Sequence, residues 1–219
     1  MGSIVPACFA SYARVFHPAS LVLNESRDLK TVRWAEVAAA NGRQMHPAAE
    51  WGSLTGLLEY IYNGPQSGIW TDPRELGSPP LVVAKPLIAV LSHHTRTADD
   101  CWFAVSDIWG ARLHDNLAGA TKFGTDYRQF FLLRGPLESG LSSPHAEYGT
   151  DRLPGLWWPE DHSWFVGSDV DLLSTYVGGS DDCIAALIAD PLLEAARIPV
   201  DQGVSLYTDT INPLPPDAD

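Results

Sequence analysis

The sequence predicts an α+β fold, a single domain with a largely antiparallel sheet and about three helices. Three observations carry this. Apolar runs of strand length, rich in aromatic and β-branched residues, are separated by turn chemistry; two of them close as a hairpin; and the helices lack the regular alternation with strands that a doubly wound parallel sheet needs. With 219 residues, 45% hydrophobic and 19% charged, the chain is long enough to bury a core without disulfides or metal. Its 18 Gly and 17 Pro follow no period, which suits many short elements joined by turns.

Residues 9–16 read as a strand stopped by His17-Pro18. Thr31 then caps a helix over 32–40, ended by the left-handed stop Asn41-Gly42. Trp51, Leu54, Leu58 and Ile61 recur at steps of three and four, a helical stripe weakened by Gly52 and Gly56. The Pro- and Gly-rich stretch 63–80 reads as a surface loop. Residues 86–91 are either a short buried strand or the end of a helix that begins earlier. Thr97-Ala98-Asp99-Asp100 has the form of a capping box that opens one helical turn.

Residues 101–105 form a strongly apolar strand with an exit turn over 107–110, and 128–133 a further strand stopped by Gly135-Pro136. A second loop covers 140–155. Beyond it, Leu156-Trp157-Trp158 and Ser163-Trp164-Phe165-Val166 flank the turn Pro159-Glu160-Asp161-His162 and form a β-hairpin. Ser180 caps the last helix, with Asp181 and Asp182 in the first turn, where negative charge suits the dipole, and Cys183, Ile184, Leu187 and Ile188 on one face. The acidic, Pro-rich tail 212–219 is expected to fray, which leaves 1–211 as the domain.

Lys and Arg number 14 against 27 Asp and Glu, a net charge of −13, and no basic run occurs, so nucleic acid is excluded as a partner. The longest apolar stretch, 81–91, is cut by Lys85 and Pro86 and is too short to span a bilayer. Met1-Gly2-Ser3-Ile4 lacks the basic and apolar regions of a signal peptide. Cys8, Cys101 and Cys183 lie far apart with no C-x-x-C pair, which fits a reducing compartment and buried, inert thiols. The expected setting is the cytoplasm, with no membrane partner.

Five blocks carry a resemblance: residues 11–18 (SYARVFHP), 32–38 (VRWAEVA), 101–105 (CWFAV), 157–161 (WWPED) and 174–180 (STYVGGS). They resemble those of a family of uncharacterised actinobacterial proteins with no assigned function, through nearly the whole chain. The resemblance implies a bacterial, soluble, single-domain protein, and it transfers no catalytic residue.

Local motifs for known chemistry are few. Val177-Gly178-Gly179-Ser180 lacks the Lys of a phosphate loop and the third Gly of a dinucleotide fingerprint, and Asp181 and Asp182 would repel an anion there, so it reads as a helix cap. Neither G-x-S-x-G nor H-E-x-x-H occurs. His93 and His94 with Asp99 and Asp100, and Asp161 and His162 with Asp169 and Asp171, are the two groupings with metal or acid-base chemistry; solvated loop residues are the simpler reading of both. No metal or other cofactor is expected.

Eight tryptophans are the heavier signal, because Trp157, Trp158 and Trp164 fall in one hairpin. Adjacent residues on a ribbon face opposite sides, so one of Trp157 and Trp158 belongs to the core and the other points outward. An outward Trp beside Asp161 and His162 has the composition of a recognition surface. The candidate binding residues are therefore Trp157, Trp158, Asp161, His162 and Trp164, with core packing as the competing reading of the tryptophans.

The function expected is that of a non-catalytic binding or protein-interaction protein, of an immunity type or a ligand-recognition module, whose negative charge steers it to a basic protein partner or which takes a small ligand. The alternative is a small hydrolase or other enzyme whose Asp and His groups meet only in the fold.

Overall fold

Side chains alternate across a strand, and here the alternation builds two rungs that cross one broad sheet. The computed structural model describes residues 4–24, 28–56, 65–71, 76–107, 119–125, 128–144, 152–205 and 207–213. Its strands are β1 (Ser11–Phe16), β2 (Ala19–Val22), β3 (Leu29–Val32), β4 (Cys101–Ser106), β5 (Thr121–Thr125), β6 (Arg128–Gly135), β7 (Leu156–Pro159), β8 (Phe165–Gly167), β9 (Ser174–Gly179) and β10 (Ala195–Ile198). Eight form an antiparallel sheet in the order β10-β1-β9-β8-β7-β4-β6-β5, and β2 and β3 form a separate hairpin. With four helices, α1 (Trp34–Ala40), α2 (Trp51–Thr55), α3 (Leu81–Leu91) and α4 (Asp181–Ala189), the architecture is the α+β, mostly antiparallel one that the sequence predicts.

The inner rung makes the main core. Ala13 pairs with Val177, Val177 with Val166, Val166 with Trp157, Trp157 with Phe103, and Phe103 with Leu133. Against this row pack Val83, Leu87 and Leu91 of α3 and Ile184 and Leu187 of α4. One residue along, the outer rung holds Ile198, Tyr12, Gly178, Phe165, Trp158, Trp102 and Arg134. Over β1 and β9 this second face is covered as well, by Val5 and Phe9. Gly178 makes room for that cover, since a Cβ there would come within 2.5 Å of the Phe9 ring and 2.9 Å of Val5.

A second layer lies over the Phe16 end of β1. Phe16, Trp34, Trp51 and Trp70 form a chain of rings with centroids 4.9, 5.2 and 5.5 Å apart. Arg14 ties this layer to the sheet. Its guanidinium is buried over the Phe16 and Trp34 rings, donates to Ser174 Oγ (2.9 Å) and the Ala49 carbonyl (2.9 Å), and pairs with Glu50 at 3.2 Å.

Several local expectations are corrected. Helix α1 begins at Trp34 and not at 32, because Thr31 pairs with Ser20 between β2 and β3 and the first helical amides are capped from afar. Trp34 N–H and Ala35 N–H donate to the Glu194 carboxylate at 2.7 and 2.8 Å. Of the two readings of 86–91, the end of a helix that begins earlier is the one observed: residues 81–91 are one helix that accommodates Pro86. Thr97 to Asp100 closes a turn through Asp100 N–H to the Thr97 carbonyl (2.9 Å) and opens no helix.

Cys8 is exposed, contrary to expectation, while Cys101 and Cys183 are buried. Burial pushes both buried thiols up to about 12, with neighbouring carboxylates adding to the effect at Cys101. Asn212, assigned to the tail from sequence, is buried and bonds Gln44 and Asp209, whereas 214–219 lie outside the described residues. Leu58 and Ile61 of the second helical stripe, and parts of the stretches 63–80, 107–110 and 140–155, also lie outside them. Among the described residues no helix is long and apolar enough to cross a membrane.

The Gly178 contact is testable. Gly178→Ala is expected to lower the free energy of unfolding by about 1–3 kcal/mol through overpacking against Phe9. Gly119→Ala, where nothing lies within 4 Å, should change little in the same urea titrations.

Candidate recognition face

Hairpin β7-β8 pairs Leu156 with Gly167 and Trp157 with Val166, which sends Trp157 inward and Trp158 outward. Trp157 is fully buried; its Nε1–H donates to the Pro154 carbonyl (2.6 Å) and its ring meets Phe103 edge-on. Trp164 is also buried, with Nε1–H donating to the Leu91 carbonyl (3.1 Å) at the end of α3. Both rings are core groups with satisfied N–H bonds. Trp158 alone of the three reaches the surface, where it is half-buried and stacks on Phe165 with centroids 5.5 Å apart and planes at 11°.

Trp158's partner across β4 is Trp102, also half-buried. Trp102 Nε1–H donates to Glu160 (2.7 Å), and the Arg134 guanidinium lies 4.5 Å over its ring. Arg134 in turn grips Asp100 with two bonds of 2.5 and 2.6 Å and reaches Glu160 at 3.4 Å. Those bonds hold the Asp100 carboxyl below the usual aspartate range. Phe165, Trp158, Trp102 and Arg134 therefore form a continuous band across β8, β7, β4 and β6.

Carboxylates border this band at the Cys101 end of β4. Glu160 meets Trp102 and Asp100 meets Arg134, while Asp100, Asp161, Glu138 and Asp99 all act electrostatically on the Cys101 thiol on the inner face. Asp161 is structural within this group. It accepts from Arg96 N–H (2.8 Å), Thr95 Oγ1–H (2.9 Å) and Ser163 N–H (3.1 Å), and its own N–H donates to Thr97 Oγ1 (3.1 Å), so it fastens the hairpin turn to loop 95–97. Partial burial raises its pKa, but the bonds from Arg96, Ser163 and Thr95 outweigh that and hold it below the ordinary value. His162 is exposed, in the left-handed region at φ 53°, and its N–H closes the turn on the Pro159 carbonyl (2.9 Å).

The other groupings do not converge. Asp169 lies past the far end of β8, where Arg128 grips it with two bonds, so it is separated from Asp161 and His162 by the length of the strand. His93 and His94 occupy a short 3-10 turn, and Asp100 is engaged by Arg134. Among the described residues no group of three or more His, Cys, Asp or Glu is arranged to hold a metal. Sequence reasoning missed Trp102, Arg134 and Phe165 as parts of the face, because the register that sets Trp102 beside Trp158 and Arg134 joins segments 56 and 32 residues apart.

Comparison with protein-family models, with curated proteins and with solved structures finds no match to this chain.

Asp161 has a pH signature. Its folded pKa is depressed, so its contribution is complete above the ordinary value of about 3.9 and is lost as pH falls through the folded value. Asp161→Asn should destabilise the protein by about 1 kcal/mol or more at neutral pH. Calorimetry should show that deficit narrowing below about pH 4.

Proposed function

We propose that this chain is a non-catalytic binding protein that docks a basic protein partner on the face around Trp102, Trp158 and Phe165. One observation carries the reading: half-buried indoles lie in a single band beside the Glu160 and Asp100 carboxylates. Aromatic anchors and desolvated charge are the groups that dominate protein interfaces. The chain displays the mode of recognition within itself, since Arg134 is held between the Trp102 ring and the Asp100 carboxylate. A partner's Arg or Lys would meet the same pairing of ring and carboxylate at Trp158 beside Glu160 and Asp161. The net charge of −13 would steer such a partner in.

An immunity-type role in a bacterial cytoplasm fits this reading and the sequence blocks that resemble the actinobacterial family. The enzymatic alternative draws less support: His46, bonded to Asp209 at 2.8 Å, is largely buried together with that carboxylate.

The chain used as bait in its host should retain a basic protein that binds again when both components are purified. Trp158→Ala should weaken that complex by about 2 kcal/mol, roughly 30-fold, with an unchanged melting temperature. Glu160→Gln should mainly reduce the salt dependence of association. Undiminished affinity in Trp158→Ala, or a purified partner that is acidic, would overturn the reading.

A further inference from the structure

Strand β1 pairs with β9 so that Arg14 lies directly opposite Tyr176, and cross-strand neighbours share one face of a sheet. Glu50, the residue before α2, joins them 3.2 Å from the Arg14 guanidinium. All three residues are more than nine-tenths buried, and all three line a recess of about 320 Å³. We propose that this recess binds a small neutral ligand by an amide edge, an N–H beside a C=O, which Glu50, Arg14 and Tyr176 hold while the Tyr207 ring packs on the body behind it.

The first argument is what these groups leave unbonded. Arg14 Nε donates to Ser174 Oγ (2.9 Å), and Nη1 donates to the Ala49 carbonyl (2.9 Å) and faces Glu50 Oε1 (3.2 Å), whereas Nη2 has no partner among the described residues. Glu50 Oε1 also accepts from Thr208 Oγ1–H (2.9 Å), and Oε2 accepts from no described residue. Tyr176 is 2% exposed, and its hydroxyl bonds no described residue. None of the three atoms is sealed from water, so each opens on the recess that its residue lines. A polar group taken from water without a partner is costly, and the recess is where a partner can be supplied.

Chemistry selects the ligand. A carboxylate oxygen only accepts, a guanidinium nitrogen only donates, and a phenol does either. Because Glu50 and Arg14 are in contact, their uncommitted atoms are neighbours and match a donor beside an acceptor, which is the pattern of an amide. The two charges cancel, so an anion would be repelled by Glu50 and a cation by Arg14, with no second countercharge inside the recess. Asp171, the remaining charged residue of the wall, is exposed at the rim.

The wall that continues from these groups is apolar, with Leu173 and Val204, and Tyr207 stands at the mouth, 72% exposed and stacked on no other aromatic ring among the described residues. The volume lies at the lower limit of the roughly 300–1,000 Å³ of small-molecule sites, which suits a single ring. No residue of the Trp158 band takes part, so this site and that face stand or fall separately.

The test is a nuclear magnetic resonance titration of the full chain with compounds that share one ring: benzamide, benzoate, benzamidine and benzyl alcohol. Benzamide should give saturable shifts at Glu50, Tyr176 and Val204 in the millimolar range or tighter. The anion, the cation and the alcohol should each bind at least about tenfold more weakly, equivalent to about 1.4 kcal/mol. Tyr176→Phe should weaken benzamide about tenfold with an unchanged melting temperature, since the hydroxyl it removes bonds nothing in the fold. Tyr207→Ala, at an exposed ring that the fold does not need, should weaken it several-fold. A parallel uracil titration identifies the source of the edge: tighter binding than benzamide assigns a cyclic amide, weaker binding a primary carboxamide. No saturable shift, binding of benzoate, benzamidine or benzyl alcohol as tight as that of benzamide, or wild-type affinity in either variant would overturn the proposal.

Discussion

Opposite faces for adjacent residues of a strand is the constraint on which the rest of this structure depends. Trp157 and Trp158 are neighbours in the chain with opposite fates: one completes the apolar rung against α3 and α4, and the other joins the outward band with Trp102 and Phe165. A slip of one residue in the pairing of β7 with β4 would exchange them, exposing the inner ring and burying the outer one beside Arg134 and Glu160. The register is protected because both errors are costly. The core would lose a fully buried indole, and charges that now sit in water would have to be desolvated.

Arg14 shows the complementary case, a charge that is buried by necessity. It stands on β1 on the same side as Tyr12 and Phe16, beneath the second layer, where an unpaired guanidinium would be prohibitive. Ser174, Ala49 and Glu50 share its donors, and the Phe16 and Trp34 rings cover its face. Burial raises the Glu50 pKa and Arg14 opposes that shift, so the two groups stabilise each other's presence in the interior. Thr208 Oγ1–H and the Asp209 carboxylate then bind Glu50 through its side chain and backbone, which pins Thr208 and Asp209 across this layer. The recess of about 320 Å³ opens beside the pair, on the side of the guanidinium that these protein acceptors leave uncommitted.

Much of the fold was legible where local chemistry decides. The cap at Ser180 is one such place: its Oγ accepts from Cys183 N–H at 3.2 Å, as a Ser before two Asp residues predicts. The hairpin around Pro159 to His162 is another, because a polar turn between aromatic runs specifies itself. Strand β9 was harder to see. Its Gly178 and Gly179 read as turn residues, yet Gly178 is extended backbone kept bare by the approach of Phe9 from far outside the strand. The start of α1 was misplaced for the same reason, since the acceptor that caps its amides is Glu194, about 160 residues away. Among the candidate binding residues, the opposed directions of Trp157 and Trp158 were readable from alternation, whereas the fully buried position of Trp164 depends on the carbonyl of Leu91 at the end of a distant helix.

The distribution of the few cations follows from this architecture. A chain with 14 Lys and Arg against 27 Asp and Glu cannot neutralise its carboxylates pairwise, so where its guanidiniums stand matters more than how many there are. Arg14 is consumed inside, and Arg134 is consumed at Trp102 and Asp100. Arg128 is consumed by Asp169 at the Ser106 end of β4, beside the exposed Arg152. Five residues of extended chain separate that end from Cys101, about 17 Å at the rise of a strand, which is roughly two Debye lengths at physiological salt. Ion pairs at the two ends of β4, Arg134 with Asp100 and Arg128 with Asp169, are thereby screened from one another.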